Sequence, residues 1–203
     1  MRIAVLASHE GTTLQAILEA CASGAIAGRV VAVISNNAES GALRRAAAAG
    51  VPGHHRSSKT HEDPDALDAE IARVLADSGA ELVVLAGYMK RIGPRALARF
   101  GGRILNTHPA LLPKFGGQGM YGLHVHRAVL AAGERTTGAS VHVVDAEYDT
   151  GPVLAQREVE VRRDDTPESL AARVQTSERA LLVETLSAIA AGRMALPPPG
   201  RRD

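Results

Sequence analysis

The amino-acid sequence predicts an α/β fold, with a mostly parallel sheet, helices on both faces and an antiparallel extension in the C-terminal half. In the first half of the 203 residues, short apolar runs alternate with helical patterns, as they do in parallel sheets. The run Glu81–Ala86 is almost entirely apolar, which is typical of a strand covered on both faces. In the second half, two strand-like runs follow one another and are expected to pair.

The first half contains four predicted strands and four predicted helices. The strands are short apolar runs at Arg2–Ala7, Val30–Ser35, Glu81–Ala86 and Arg103–Thr107. The helices have apolar residues at helical spacing or favourable ends, and lie at Thr13–Ala22, Gly41–Ala49, Asp65–Ser78 and Pro94–Phe100. Gly50 ends the second helix, and Pro94 suits the first turn of the fourth.

The second half starts with a predicted helix and ends with a long one. The expected elements are a helix at Leu123–Ala132, strands at Ala139–Val144 and Val153–Val161, and a helix from Pro167 to about Ala191. Acidic residues and a proline near the first turn mark the start of the last helix. Because the sequence shows no repeat and no linker, we predict one domain over residues 1–195 and a flexible tail over 196–203.

Composition excludes several classes of function. A net charge of +1, 2% aromatic residues and no tryptophan argue against a nucleic-acid partner. No apolar run has membrane-spanning length, and the first residues look like a strand rather than a signal peptide, so we expect a cytoplasmic protein without a membrane partner. Cys21 is the one cysteine; we expect a buried, inert thiol, and no disulfide.

Histidines occur in pairs, but they do not form a metal-binding pattern. His54 and His55 are adjacent, and His124 and His126 lie where a helix begins. The sequence has neither an HExxH motif nor a cysteine partner for these residues, so we predict no metal.

The segment from Asn106 to Pro113 directly follows a predicted buried strand. Side chains alternate along a strand, so Asn106 and His108 point the same way, and Pro109 turns the chain outward. Ligands of open α/β sheets bind at such strand ends, where an amide and an imidazole could stabilise a developing oxyanion. The alternative is a structural hydrogen-bonded pair.

A second candidate site is the loop after the first strand, with Gly11, Thr12 and Thr13 at a helix start. Free backbone N–H groups and the positive end of the helix dipole suit a phosphate there. The alternative is that Thr12 or Thr13 caps the helix.

A third candidate is Asp149, within Tyr148–Pro152. It could be a general base beside His108, or it could form ordinary turn hydrogen bonds in a Gly-Pro turn. His142 could support the same site or be a satisfied core histidine.

These motifs carry a resemblance to a known family. The segments concerned are Ile3–Leu6, Gly11–Gln15, Val83–Met89 (VVLAGYM), Leu105–Pro113 (LNTHPALLP), Gly138–Pro152 (GASVHVVDAEYDTGP), Arg173–Thr176 and Glu178. Across nearly all its length, the chain resembles the phosphoribosylglycinamide formyltransferases, folate-dependent enzymes of de novo purine synthesis. The resemblance implies a Rossmann-like formyltransferase fold, a monomer or homodimer, and formyl transfer from 10-formyltetrahydrofolate to the amine of 5'-phosphoribosylglycinamide.

The resemblance also implies roles for individual residues. Asn106 and protonated His108 would stabilise the oxyanion, Asp149 would hold His108 charged and move a proton, and His142 would support them. Substrate and phosphate contacts fall on Gly11, Thr12, Thr13, Gln175 and Glu178. Folate contacts fall on Met89, Lys90, Ile92, Asn106, Val144, Asp145 and Asp149.

Three segments depart from the family pattern. His9–Thr13 replaces the usual Gly-x-Gly-Ser-Asn, Lys90-Arg91 alters the folate wall, and Lys114–Gly122 is longer than usual, with four glycines that suggest a mobile flap. The alternative function is another 10-formyltetrahydrofolate enzyme, acting on a different phosphorylated amine or on water. Methionyl-tRNA formyltransferases and formyltetrahydrofolate hydrolases carry an additional domain, for which this sequence is expected to have no room.

Overall fold

The computed structural model describes residues 1–198 of the chain. Residues 199–203, most of the expected tail, lie outside the described residues. Contacts divide the described residues into two compact units: residues 1–105 together with 187–198, and residues 106–186.

The first unit alternates strands and helices. Its strands are β1 (Arg2–Leu6), β2 (Arg29–Ser35), β3 (Gly53–His55) and β4 (Leu82–Leu85). Its helices are α1 (Thr12–Ala22), α2 (Gly41–Ala48), α3 (Pro64–Asp77) and α4 (Pro94–Phe100). β1 pairs in parallel with both β2 and β4, and β3 pairs in parallel with β2. The core of this unit is aliphatic, with Ile3, Leu6, Ile17 and Ile34 fully buried.

The second unit holds the antiparallel part of the sheet. It contains α5 (Leu123–Ala131), β6 (Thr136–Val143) and β7 (Val153–Glu160), the end of β5 (Ile104–His108) and most of α6 (Pro167–Ala190). β6 and β7 are antiparallel, with Ser140 opposite Gln156. Val125 and Val129 of α5 pack against Leu170 and Val174 of α6 in a buried cluster.

The predicted fold class is confirmed: over residues 1–198 the strand order is β3-β2-β1-β4-β5-β6-β7, with parallel pairs on one side and an antiparallel pair at the other. β3 was not predicted, because its Gly-His-His sequence carries no apolar run. β6 starts three residues earlier than expected, and it includes Gly138. A Cβ at Gly138 would overlap the carbonyl oxygen of Arg157, so the close approach of β7 explains a glycine inside the strand.

Two side chains of the first unit, Cys21 and Asp68, are partly or fully buried. Cys21 is half-buried rather than buried as expected, and burial raises the pKa of its thiol, which therefore stays protonated. Asp68 of α3 is buried and caps α4, accepting the N–H groups of Arg95 and Ala96 at 2.7 and 3.2 Å. A Cβ at Gly93, the N-cap residue, would overlap the carboxylate of Asp68.

Within residues 1–198, no helix combines the length and the apolar character needed to cross a bilayer.

Candidate active site

The carboxyl end of β5 carries Asn106, Thr107 and His108. Strand alternation places Asn106 and His108 on one face and Thr107 on the other, as the sequence predicts. Asn106 is half-buried, whereas His108 is only 3% exposed. The imidazole is therefore held in a largely water-free setting, where its contacts decide its protonation.

Both ring nitrogens of His108 have a partner. Nε2 lies 2.7 Å from the carbonyl oxygen of Phe115, and Nδ1 lies 3.4 Å from Oδ2 of Asp149. A carbonyl oxygen can only accept, so in this arrangement Nε2 carries the proton of the neutral ring. Nδ1 is then the position that a second proton would occupy, facing the carboxylate.

Burial lowers the pKa of His108 below its ordinary value. The negative charge of Asp149 and the carbonyl of Phe115 raise it, but they do not compensate for the loss of water around the ring. The neutral ring of His108 is therefore favoured at pH 7.

Asp149 is held from two sides. Its Oδ2 accepts the N–H of Gly117 at 2.9 Å, and its Oδ1 lies 3.4 Å from Nε2 of His142. Burial raises the pKa of Asp149, but the contacts with His142 and Gly117 and the nearby His108 outweigh that effect and lower it. Asp149 is therefore a carboxylate at neutral pH.

The turn hydrogen bonds of this loop are made by Asp145 instead. Oδ1 of Asp145 accepts the N–H of Glu147 at 3.2 Å and the hydroxyl of Thr150 at 2.8 Å. Asp149 lies in a turn, but its side chain contacts Gly117 and the histidines, and the side-chain hydrogen bonds within the loop are those of Asp145.

His142 on β6 joins Asn106 to Asp149. The amide Nδ2 of Asn106 lies 3.1 Å from Nε2 of His142, and the other ring nitrogen, Nδ1, lies 3.1 Å from the carbonyl of Val143. His142 is 2% exposed. It is thus both a satisfied core histidine and part of the site, and the two interpretations of the sequence are compatible.

The glycine-rich segment Lys114–Gly122 reaches this cluster through its main chain. It supplies the carbonyl of Phe115 and the N–H of Gly117. Among the described residues, Phe115 (φ 56°) and Asp149 (φ 58°) are the non-glycine residues with positive φ, and both contact His108. Strained backbone of this kind is typical of functional sites. Sequence analysis missed these partners because a main-chain contact leaves no side-chain signal.

The predicted phosphate loop lies in the first unit, where α1 begins after Gly11. Gly11 is the N-cap residue and has no side chain, so the interpretation of Thr12 or Thr13 as the cap is wrong. Gly11 has φ +70°, and a Cβ there would lie 2.7 Å from Cα of Ala42. The helix start is therefore uncapped by side chains, which leaves its first N–H groups and dipole for an anion.

Glu10, the unexpected acid of this loop, has cationic neighbours. Its Oε2 lies 3.7 Å from Nη2 of Arg44, and its carbonyl accepts from Nε of Arg45 at 2.8 Å. Arg45 also donates to Oε1 of Gln15 at 3.0 Å. The two arginines of α2 thus bind the loop and offset the charge of Glu10.

The remaining expected contact residues differ in exposure. In the first unit Met89 and Lys90 are exposed, whereas Ile92 is 5% exposed. In the second unit Val144 is half-buried, and Asp145 and Gln175 are exposed.

Glu178 on α6 accepts the hydroxyl hydrogen of Thr107, the residue between Asn106 and His108. Burial raises the pKa of Glu178, and the bond from Thr107 opposes that rise.

The structure brings Asn106, His108, His142 and Asp149 together in the second unit.

Two other histidines lie on α5, the helix that directly follows the glycine-rich segment in the sequence. His124 is exposed and contacts Tyr121 edge-on, with ring centroids 5.3 Å apart. His126 is 2% exposed, and its Nδ1 has no hydrogen-bond partner among the described residues. Burial lowers the pKa of His126. Within residues 1–198, no three His, Cys, Asp or Glu side chains are grouped to hold a metal ion.

Residues 1–186 match the sequence model of the formyl transferase family. The chain is 42% identical over 194 residues to the chloroplastic phosphoribosylglycinamide formyltransferase of Arabidopsis thaliana, covering 95% of this chain and 66% of that protein. It is 40% identical to the phosphoribosylglycinamide formyltransferase of Escherichia coli, covering 96% of this chain and 89% of that protein. Glycinamide ribonucleotide transformylase 1 of Symbiobacterium toebii has a similar structure, with a TM-score of 0.90 and 40% identity over 98% of this chain and 92% of that one.

Proposed function

The chain belongs to the formyl transferase family, and we propose that it transfers a formyl group from 10-formyltetrahydrofolate to the amine of 5'-phosphoribosylglycinamide. The observation that carries the proposal is the continuous contact series at the end of β5, from Asn106 through His142 and Asp149 to His108. It offers an amide donor, an imidazole and a carboxylate to one reacting carbon, as acyl transfer requires. The names of the E. coli and A. thaliana relatives support the choice of acceptor.

In the proposed reaction the amine nitrogen attacks the formyl carbon. A C–N bond forms to the amine, the bond from the formyl carbon to the folate nitrogen breaks, and a proton passes from the amine to that nitrogen. The Nδ2 group of Asn106, which lies 3.1 Å from Nε2 of His142, would donate to the oxyanion of the tetrahedral intermediate. Binding both substrates in the correct orientation supplies a large part of the rate enhancement.

His108 would gain its positive charge during the reaction. Burial lowers the pKa of His108, so a negative charge that develops near the ring, in addition to the charge of Asp149, would favour a proton at Nδ1. Asp149 faces Nδ1 and would hold the resulting imidazolium, and it would assist proton transfer from the amine.

We assign the substrate phosphate to the first turn of α1, at Gly11, Thr12 and Thr13. An uncapped helix start with free N–H groups favours an anion, and Arg44 lies 3.7 Å from Glu10, where it reduces the repulsion expected from that acid. Gln175 and Glu178 would bind the ribose end of the same substrate, with Glu178 exchanging or sharing its contact with Thr107.

We assign the folate contacts from the family resemblance. In the first unit they are Met89, Lys90 and Ile92, and in the second unit they are Asn106, Val144, Asp145 and Asp149. The exposed side chain of Met89 offers apolar area, and its N–H is bound to Oγ of Ser8 at 2.8 Å, which fixes the local chain.

The departure at residues 9–13 supports one alternative, a formyl-folate enzyme acting on a different phosphorylated amine or on water. A spectrophotometric assay with 10-formyltetrahydrofolate separates the two. We expect folate release that depends on 5'-phosphoribosylglycinamide. Release without any amine would identify a hydrolase, and release with an unrelated phosphorylated amine alone would identify a different transferase; either result would overturn the proposal.

A further inference from the structure

A closed hydrogen-bond cluster lies behind the catalytic histidine, on the strands β6 and β7. Ser140 of β6 is fully buried; its Oγ accepts the N–H of Leu112 at 3.0 Å and donates to the carbonyl of Ala110 at 2.7 Å. Gln156 lies opposite Ser140 on β7. Its Nε2 donates to the carbonyl of Leu112 and to Oγ of Ser140, both at 2.9 Å.

The cluster uses all the hydrogen-bonding capacity of its central groups. A serine hydroxyl has one hydrogen to donate and two lone pairs to accept with, and Ser140 uses all three. The amide nitrogen of Gln156 has two hydrogens and uses both. Such a saturated network favours one conformation of the chain that it binds.

The chain bound in this way is the connection between His108 and the carbonyl that holds it. Ala110 and Leu112 lie on the path from His108 to Phe115, whose carbonyl is 2.7 Å from Nε2 of His108. A displacement of residues 110–112 would therefore move the histidine and its partner relative to each other. The strand that carries Ser140 also carries His142, two residues further along, which contacts Asn106.

We propose that Ser140 and Gln156 are positioning residues that set the orientation of the His108 imidazole by fixing residues 110–112. This inference rests on the proposed formyl transfer, since His108 acts in that reaction. Gln156 is the informative member of the pair because the residue is exposed. Its replacement opens no core cavity, so an effect on catalysis is separable from a loss of folding.

The test compares Gln156→Leu and Gln156→Glu with Glu158→Leu in the full chain. Leucine has no polar group, and glutamate keeps the shape of glutamine but loses both N–H donors. Glu158, two residues along β7 and also exposed, provides a matched control. A thermal unfolding curve is measured for each variant to check that it folds.

We expect both Gln156 variants to lower kcat by about tenfold, since small displacements of a catalytic group cost that much or more, while KM for either substrate stays within about twofold. We also follow the NMR signal of the His108 C2–H proton against pH without substrates. We expect the midpoint of this titration to shift in both Gln156 variants. Glu158→Leu should match the unchanged protein in each measurement.

The proposal is overturned if Gln156→Leu keeps normal kcat and an unshifted His108 titration. It is also overturned if kcat falls while the titration is unchanged, or if Glu158→Leu shows the same losses. A shifted titration in a protein that transfers no formyl group to 5'-phosphoribosylglycinamide would refute the proposed function and leave the positioning role standing, because the NMR measurement needs no turnover.

Discussion

The Nδ1 atom of His108 and the Oδ2 atom of Asp149 face each other at 3.4 Å, although the two residues are 41 positions apart in the sequence. The two residues belong to different elements: His108 ends β5, and Asp149 follows β6 in the loop to β7. Asp149 is thus placed to stabilise a proton on Nδ1, and its charge is the quantity to test.

Replacing Asp149 with asparagine keeps the shape of the side chain and removes its charge. We expect kcat to fall at least ~10²-fold, because the imidazolium of His108 loses its counter-charge during proton transfer. KM for the ribonucleotide should change little. Steady-state kinetics of Asp149→Asn measures this, with the exposed Asp164→Asn as control. A near-normal kcat in Asp149→Asn contradicts the role of the carboxylate.

Thr12→Asp places a negative charge at the first residue of α1, where we assign the substrate phosphate. We expect KM for 5'-phosphoribosylglycinamide to rise about tenfold or more through charge repulsion, with a smaller change in kcat. Thr12→Asn is the matched control, since it has the same size without the charge. If KM is the same in both variants and the unchanged protein, the phosphate binds elsewhere.

Because His126 is buried, we expect the free energy of unfolding to fall as the solution becomes acidic. An unfolded histidine has a pKa near about 6.5, and burial lowers the pKa of His126 in the folded chain. The unfolded state therefore binds protons more readily, and the contribution of His126 to stability is complete above about pH 6.5 and lost as the pH falls below it. One such group changes the unfolding free energy by at most about 1.4 kcal/mol per pH unit.

Urea unfolding of His126→Leu between about pH 8 and 5 checks that expectation. The variant should lose less stability on acidification than the unchanged protein. His124→Leu, an exposed change on the same helix, should retain the original pH dependence. If the unfolding free energy depends equally on pH in all three proteins, His126 has the same pKa in the folded and unfolded chains. His108 contributes in the same direction, so His126→Leu should reduce the slope without abolishing it.

Asp68→Asn should destabilise the first unit by about 1–3 kcal/mol, the usual cost of an unsatisfied buried polar group. Each carboxylate oxygen of Asp68 accepts one N–H from the first turn of α4, and an asparagine amide would present N–H groups to one of those donors. Differential scanning calorimetry should show a lower Tm for Asp68→Asn than for Asp65→Asn, an exposed change on the same helix. Matching Tm values would mean that the cap contributes no net stability.

Much of the site could be predicted from sequence because it follows from simple periodicity. The alternation of a strand places Asn106 and His108 on one face, and the apolar run before them places both at its carboxyl end. The contact of Asp149 with His108 required the family resemblance, since a Gly-Pro turn suits either interpretation. Local chemistry could not tell which of Asp145 and Asp149 makes the side-chain hydrogen bonds within the loop, because the two residues have identical side chains in one loop.

The features that the sequence did not reveal share a physical cause. The contacts of Phe115 and Gly117 with the site are made by backbone atoms, which every residue has. Ser140 and Gln156 are neutral polar residues in strands, a pattern that is common on any sheet. Gly11 leaves the start of α1 without a side-chain cap because the approach of Ala42 excludes a Cβ, and only the tertiary structure reveals that constraint.

The partner of His108 at Nε2 is a carbonyl oxygen, and this has a consequence for how the protein can vary. No single side-chain exchange at position 115 deletes that oxygen, and the positive φ there limits the position only to residue types that tolerate left-handed backbone. An insertion or deletion between positions 109 and 115 would instead carry the oxygen away from the ring. Selection on residues 109–115 should therefore act on the length of the loop more strongly than on residue type. Variants with loops of different length would reveal this constraint, whereas a scan of point mutations would not.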